Sequence, residues 1–201
     1  MPCMARQPDL FSPPAPPALP PGMRYQPDFL SAAQEADLIA RIAALPLAPM
    51  KYQQYEARRR VLSYGGQYDF SAQRLNEAAP LPDWLDPLRE QAGAWAGIAA
   101  AAFTQALVAE YQPGTPLGWH RDVPDFEDIV GVSLGNDAVL RFRRYPPADV
   151  KRADVLKLTV APRSIYLLRG PARWAWQHTV SPTKQLRYSI TLRTARMRTA
   201  D

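Results

Sequence analysis

The 201-residue chain contains two histidines, His120 and His178. His120 lies in the run GTPLGWHRD, which places Asp122 two residues on. In an extended segment, residues two apart point to the same face, so this imidazole and this carboxylate can reach one metal together. Neutral imidazole and carboxylate oxygen suit a metal such as iron(II), held from one side with open positions on the other. His178 is the remaining histidine and the candidate third ligand, and it must arrive on a different strand. Taken alone, a His-x-Asp pair is also what a surface contact or a satisfied core histidine shows, and that alternative stands at this point.

The second chemical feature is RYSITLR, Arg187 to Arg193. Period two puts Arg187, Ser189, Thr191 and Arg193 on one face and Tyr188, Ile190 and Leu192 on the other. Two arginines on an inner face need counter-charge, because unpaired buried charge is costly. A bound dicarboxylate supplies it through charge-assisted bonds of fork geometry. The competing reading is a solvent-exposed basic stripe.

These residues need a scaffold, and the sequence outlines one. Eight prolines fall within residues 1–22, a density that prevents helix and sheet pairing, so 1–22 is expected to be a disordered arm and 23–201 the folded domain. Ser31 followed by Gln34 has capping-box spacing, and Leu38, Ile39, Ile42 and Leu45 form one apolar stripe. A second helix is expected from about Asp83 or Asp86, with Pro87 in its first turn and Leu85, Leu88, Ala92 and Trp95 on its buried face. Beyond that the period changes to two, around Tyr111, Phe142, Leu158, Leu167 and Ile190. Helices followed by short antiparallel strands give an α+β class with a sandwich or barrel.

Composition narrows the function classes. Hydrophobic residues make up 47% of the chain, enough for a sizeable core. One cysteine, Cys3, excludes a disulfide framework and a cysteine zinc cluster, and a reducing, cytoplasmic setting is expected. No apolar run is long enough to span a membrane, and the N-terminus lacks the pattern of a secretory signal. Lys plus Arg is 24 against 19 Asp plus Glu, a net +5 that favours a polyanionic partner.

His-x-Asp, a distant His and Arg-x5-Arg in a strand, in that order, resemble the AlkB-like 2-oxoglutarate/Fe(II)-dependent dioxygenases. The resemblance covers most of residues 23–198, with supporting segments Tyr111-Gln112-Pro113-Gly114, FEDIVGVSLGNDAVLRFRR and APRSIYLLRGPARWAWQH. FEDIV, the PRS run and the short gap from His178 to Arg187 look like the branch with transfer-RNA-modifying members. The resemblance implies a double-stranded β-helix (jelly roll) with N-terminal bracing helices. It implies that His120, Asp122 and His178 bind iron. Arg187 would pair with the distal carboxylate of 2-oxoglutarate, Arg193 would sit near its metal-proximal end, Tyr111 would hydrogen-bond it, and Ser189 would be a polar neighbour. The family usually has Asn-x-Tyr where this chain has Ala109-Glu110-Tyr111, which puts one co-substrate contact in question. The implied chemistry consumes O2 and 2-oxoglutarate, releases succinate and hydroxylates a C–H bond. On an N-alkylated base, the product then falls apart to aldehyde and restored base.

For the substrate side, Tyr68 and Phe70 resemble paired family aromatics that can stack on a base, with ordinary core residues as the equal alternative. Trp176 shares a face with His178 if that segment is extended, and Trp119 points the other way, toward a core. Arg58-Arg59-Arg60, Arg141, Arg143, Arg144, Lys151 and Arg152 can track phosphates or form solvated faces. The expectation is a monomeric, non-membrane enzyme that dealkylates DNA or RNA bases. The alternatives are the same chemistry on a transfer-RNA modification, a protein or a small molecule, and a jelly-roll module without catalysis.

Overall fold

The computed structural model describes residues 18–52, 55–69, 72, 74–147 and 155–197. Both apolar stripes expected from the sequence form helices. Helix α1 spans Ala32–Ala43 and starts on the capping box. Gln34 N–H donates to Ser31 Oγ, and Ser31 N–H donates to Gln34 Oε1. Its Leu38 and Ile42 are buried, each worth about 1.5–3 kcal/mol of apolar transfer. Helix α2, Asp86–Ala96, carries Pro87 in its first turn and stops at Gly97, whose φ of 69° is the left-handed conformation that glycine tolerates. A single-turn helix α3, Pro171–Trp174, follows much later. No helix among the described residues is long and apolar enough to cross a membrane.

The strands are β1 (Met23–Gln26), β2 (Ala48–Tyr52), β3 (Tyr55–Tyr64), β4 (Gln67–Asp69), β5 (Arg74–Asn76), β6 (Phe103–Tyr111), β7 (Leu117–His120), β8 (Phe126–Leu134), β9 (Ala138–Arg144), β10 (Leu156–Val160), β11 (Ser164–Leu168), β12 (Trp176–Val180) and β13 (Arg187–Ala195). They form a seven-stranded sheet, β1-β11-β8-β13-β6-β3-β2, a four-stranded sheet, β10-β9-β12-β7, and the β4-β5 hairpin. All pairings are antiparallel. Two facing antiparallel sheets with the helices on one outer face make the double-stranded β-helix that the sequence led us to expect.

Period two sorts side chains between two cores. Val108, Val132, Ile165, Ile190 and Leu192 face α1 and α2, where they meet Leu38, Ile42, Leu88 and Ala92. Ala109, Tyr111, Ile129, Leu140, Phe142 and Tyr166 occupy the space between the sheets. The polar face of β13 therefore looks into the sandwich, not into solvent. Most of the expected arm lies outside the described residues. Residues 18–22 sit against the body: Pro20 is buried, Leu19 packs on the inter-sheet core, and Ala172 N–H donates to Pro21 O at 2.8 Å.

Candidate metal centre and arginine pocket

Strand pairing sets the two histidines opposite each other, with their ring planes tilted by 55°. β12 and β7 are antiparallel neighbours that set His178 opposite His120, with ring centroids 4.2 Å apart. Asp122 is not on a strand, because β7 ends at His120. It still turns back toward the rings, with Oδ2 3.8 Å from His178 Nε2. One ligand atom from each of the three residues lies within 4.8 Å of the others.

Long-range contacts hold Asp122 in place. Arg193 Nε and Nη2 both donate to Asp122 Oδ1, at 3.0 and 2.7 Å. Arg193 Nη1 donates to Oε1 of the buried Gln105 at 2.8 Å. Arg173, also buried, donates from Nη2 to Val123 O at 2.7 Å and Phe126 O at 2.9 Å, which pins the segment after Asp122. Arg121 Nη1 donates to Trp174 O at 3.0 Å, so α3 grips the same segment a second time.

The electrostatics favour neutral imidazoles beside an ionised carboxylate. Burial pushes both histidines below their ordinary pKa, His178 to about 3, so each keeps a lone pair at neutral pH. Burial alone would raise Asp122, but Arg193, the two imidazoles once acid protonates them, and Arg173 outweigh it and hold the carboxyl well below the usual range. His120 Nδ1–H donates to Gly118 O at 2.9 Å, which leaves Nε2 as the coordinating nitrogen. Asp122 Oδ2 is buried with no hydrogen-bond partner. An unpaired buried carboxylate oxygen is expensive, and a cation between it and two imidazoles removes that cost. The donor set and the orphan oxygen fit a divalent metal.

A second unpaired atom lies in the same pocket. Arg187 is 1% exposed, its Nε donates to Ser133 Oγ at 3.0 Å, and its Nη1 is buried without a partner. Its guanidinium lies 5.0 Å from the Tyr111 ring centroid. Burial raises Tyr111, but Arg59 and Arg187 together hold its hydroxyl below its ordinary pKa. Burial pushes Tyr166 up to about 12 and keeps it a neutral phenol. Tyr166 pairs with Gly131, where any Cβ would overlap the tyrosine ring, so glycine is what lets that ring turn into the pocket. The pocket encloses about 480 Å³ of empty space counting its open mouth. His120, Asp122, His178, Tyr111, Arg187, Ser189 and Arg193 all line it. The orphan Nη1 fits a carboxylate acceptor.

The substrate-side candidates do not gather there. Tyr68 is half-buried on the β4–β5 hairpin, opposite Leu75, and is not among the residues lining the pocket. Phe70 lies outside the described residues, as do Lys151 and Arg152. Trp176 is on the same face of β12 as His178 but is buried in the inter-sheet core rather than in the pocket wall. Trp119 is not core: it lies on the outer side of the four-stranded sheet, with the Arg143 guanidinium 4.3 Å from its ring centroid. Of the arginine triplet, Arg60 pairs with Glu110 at 3.1 Å and with Leu47 O, while Arg59 enters the pocket. Sequence reasoning placed Arg59 in a phosphate-tracking or solvated triplet rather than in this pocket, and it missed Ser133 and Tyr166. The signal for Arg59 is alternation, because Val61 is an inter-sheet residue two positions on in the same strand.

With this geometry in hand, comparisons with known proteins agree. A family model described as "2OG-Fe(II) oxygenase superfamily" matches residues 22–198. An Arabidopsis thaliana protein named "Alkylated DNA repair protein ALKBH8 homolog" is 30% identical over 181 residues, covering 80% of this chain and 51% of that protein. A Danio rerio protein named "Probable RNA/DNA demethylase ALKBH6" is 28% identical, covering 80% of this chain and 70% of its own length. A Xenopus tropicalis protein named "tRNA (carboxymethyluridine(34)-5-O)-methyltransferase alkbh8" is 27% identical over 84% of this chain, which spans 26% of that protein. The solved structure described as "The structure of OsALKBH1" superposes with a TM-score of 0.68 at 17% identity, over 88% of this chain and 98% of that one, a likeness of fold.

Proposed function

The chain belongs to the 2OG-Fe(II) oxygenase superfamily as an AlkB-like dioxygenase, and from the pocket we propose that it oxidatively dealkylates alkylated bases in nucleic acid. The observation that carries the reading is one pocket holding both an orphan acceptor, Asp122 Oδ2, and an orphan donor, Arg187 Nη1. The first suits the metal of the family and the second its dicarboxylate co-substrate. The nucleic-acid part is supported by the names of the relatives and by the net +5 charge.

His120, Asp122 and His178 would hold the iron, and bound iron(II) with 2-oxoglutarate and O2 supplies hydroxylation of a C–H bond. The protein groups do the positioning. His120 Nε2 is presented because Nδ1 is tied to Gly118 O. Arg193 fixes the rotation of the Asp122 carboxylate, so that Oδ1 is taken and Oδ2 is offered. Ser133 takes one edge of the Arg187 fork and leaves the other for the distal carboxylate. Tyr111 and Ser189 wall the same space. Hydroxylation of the carbon of an N-alkyl group yields a hemiaminal, which loses aldehyde and restores the base without further help from the protein.

The transfer-RNA substrate in the name of the Xenopus relative, of which this chain spans 26%, motivates a second reading, in which the same oxygenase chemistry leaves a stable hydroxyl on a transfer-RNA modification. Anaerobic reconstitution with iron(II) and 2-oxoglutarate, followed by oxygenation with methylated oligonucleotides, total transfer RNA or peptides, separates these. Mass loss of one methylene per succinate supports dealkylation. A gain of one oxygen on transfer RNA supports the second reading. Turnover on peptides alone contradicts both.

A further inference from the structure

The four strands β7, β9, β10 and β12 carry LGWH, AVLRFRR, LKLTV and WQHTV, with no aspartate or glutamate among them. Their inner-facing residues include Leu140, Phe142, Leu158 and His178, so Arg141, Arg143 and Lys157 alternate to the outside. Lys157 is the direct cross-strand partner of Arg141. Arg143 sits across from Gln177, whose Oε1 accepts from Arg143 Nε at 2.9 Å. Trp119, next to the inward His120, points outward on β7, the edge strand of this sheet. The guanidiniums of Arg143 and Arg141 lie 4.3 and 5.5 Å from its ring centroid. Arg121, just past the end of β7, lies 3.8 Å over the ring of Tyr145, just past the end of β9.

Several surface cations elsewhere are neutralised by carboxylates, while Arg24 over Trp95 and Arg196 over Trp174 are stacked on rings. Arg41 pairs with Asp37, Arg60 with Glu110, Arg163 with Asp28 and Arg169 with Asp128. On this sheet face and just past its strand ends, no carboxylate pairs with Arg121, Arg141, Arg143 or Lys157 among the described residues. Arg121, Arg141 and Arg143 are instead stacked on aromatic rings, which fixes guanidinium planes without consuming their charge. Arg141 and Arg143, two residues apart on one strand, stand about 7 Å from each other along it. A row of like charges that is ordered but not neutralised is repulsive by itself and complementary to a repeating anion.

We propose that this outer face, centred on Arg141, Arg143 and Trp119, docks the sugar-phosphate backbone of the nucleic-acid strand whose target base enters the pocket. The proposal rests on the nucleic-acid reading above and deepens it by assigning where the flanking phosphates lie. β7 makes the arrangement continuous. As an edge strand it carries His120 on its inner side and Trp119 on its outer side, so a strand that crosses this edge presents a base to one side and phosphates to the other.

The test is binding of a fluorescently labelled single-stranded oligoribonucleotide to the full chain across a salt series. The Arg141→Gln/Arg143→Gln double variant is compared with wild type and with Arg141→Lys/Arg143→Lys, each checked for an unchanged melting profile. Removing two phosphate contacts lowers the slope of log affinity against log salt by about 1.4, at about 0.7 per contact on single strands. The lysine variant keeps charge and should keep the slope. If wild type binds and the glutamine variant shows the wild-type slope, this docking surface is overturned while the proposed function stands. If wild type shows no salt-dependent binding to the strand, the nucleic-acid reading itself fails. If polyglutamate binds wild type with the same dependence on both arginines and the oligonucleotide does not bind, the face takes an acidic protein and the proposal is overturned.

Discussion

Arg193 grips a single oxygen of Asp122 with two of its N–H groups, at 3.0 and 2.7 Å, and the other oxygen is left buried and unpaired beside His178. The arginine therefore acts as the mount of the carboxylate. A charge-assisted bond of this kind is worth about 1.5–3 kcal/mol. Arg193→Met should weaken iron(II) or manganese(II) affinity by roughly tenfold to a hundredfold, measured by anaerobic calorimetry. Arg193→Lys should restore part of it, because the charge returns without the fork. Equal metal affinity in all three proteins would remove Arg193 from the site.

Arg187 should control the co-substrate. Its Nε is committed to Ser133 and its Nη1 is unpaired. Arg187→Lys keeps the charge and loses the fork, so the KM for 2-oxoglutarate should rise by roughly tenfold or more, with a smaller change in kcat. A wild-type KM in this variant would mean that the dicarboxylate binds elsewhere.

Gly131 and Tyr166 form a size-matched pair. A methyl at position 131 overlaps the Tyr166 ring. Overpacking of this kind costs about 1–3 kcal/mol, so Gly131→Ala should lower the melting temperature and also weaken 2-oxoglutarate binding, because the displaced ring lines the pocket. Gly131→Ala/Tyr166→Phe should not recover stability, since the ring carbons also collide. Tyr166→Ala on the Gly131→Ala background should relieve the clash. Thermal melts of the four proteins decide it.

How much of this was legible in the sequence depends on the range of the contacts involved. The alternation in RYSITLR sets the inner face of β13 without tertiary knowledge, and the structure puts Arg187, Ser189, Thr191 and Arg193 in the pocket. The capping box at Ser31 and Gln34 is equally local. His120 and Asp122 converge for a reason that spacing does not contain. The strand stops at His120, and Asp122 is turned inward by Arg193, 71 residues away in sequence. Ser133 was invisible because its role exists only through Arg187 on the neighbouring strand. Trp119 was misplaced because a tryptophan beside a metal-ligand histidine suggests core, whereas its ring serves as a platform for two arginines on the far side of the sheet.

Arg173 makes a related point about the same segment. It gives two hydrogen bonds to backbone carbonyls just after Asp122, and burial lowers its pKa. Arg173→Met leaves both carbonyls without that donor and should cost a few kcal/mol of stability together with metal affinity. Arg173→Lys should recover more of the melting temperature than of the metal affinity, because one ammonium cannot reproduce the geometry of the guanidinium. Unchanged metal affinity in both variants would show that the segment holds itself.

The central claim is that His120, Asp122 and His178 bind iron(II) in a pocket shared with 2-oxoglutarate. An anaerobic titration of iron(II) into the full chain with excess 2-oxoglutarate, followed by visible charge-transfer absorption, tests it most directly. The account predicts saturation at one equivalent per chain, with the band absent from Asp122→Ala and His178→Ala and shifted to higher 2-oxoglutarate concentration in Arg187→Lys. Saturable binding that persists unchanged in both metal-ligand variants, or no band in the wild-type protein, would contradict it.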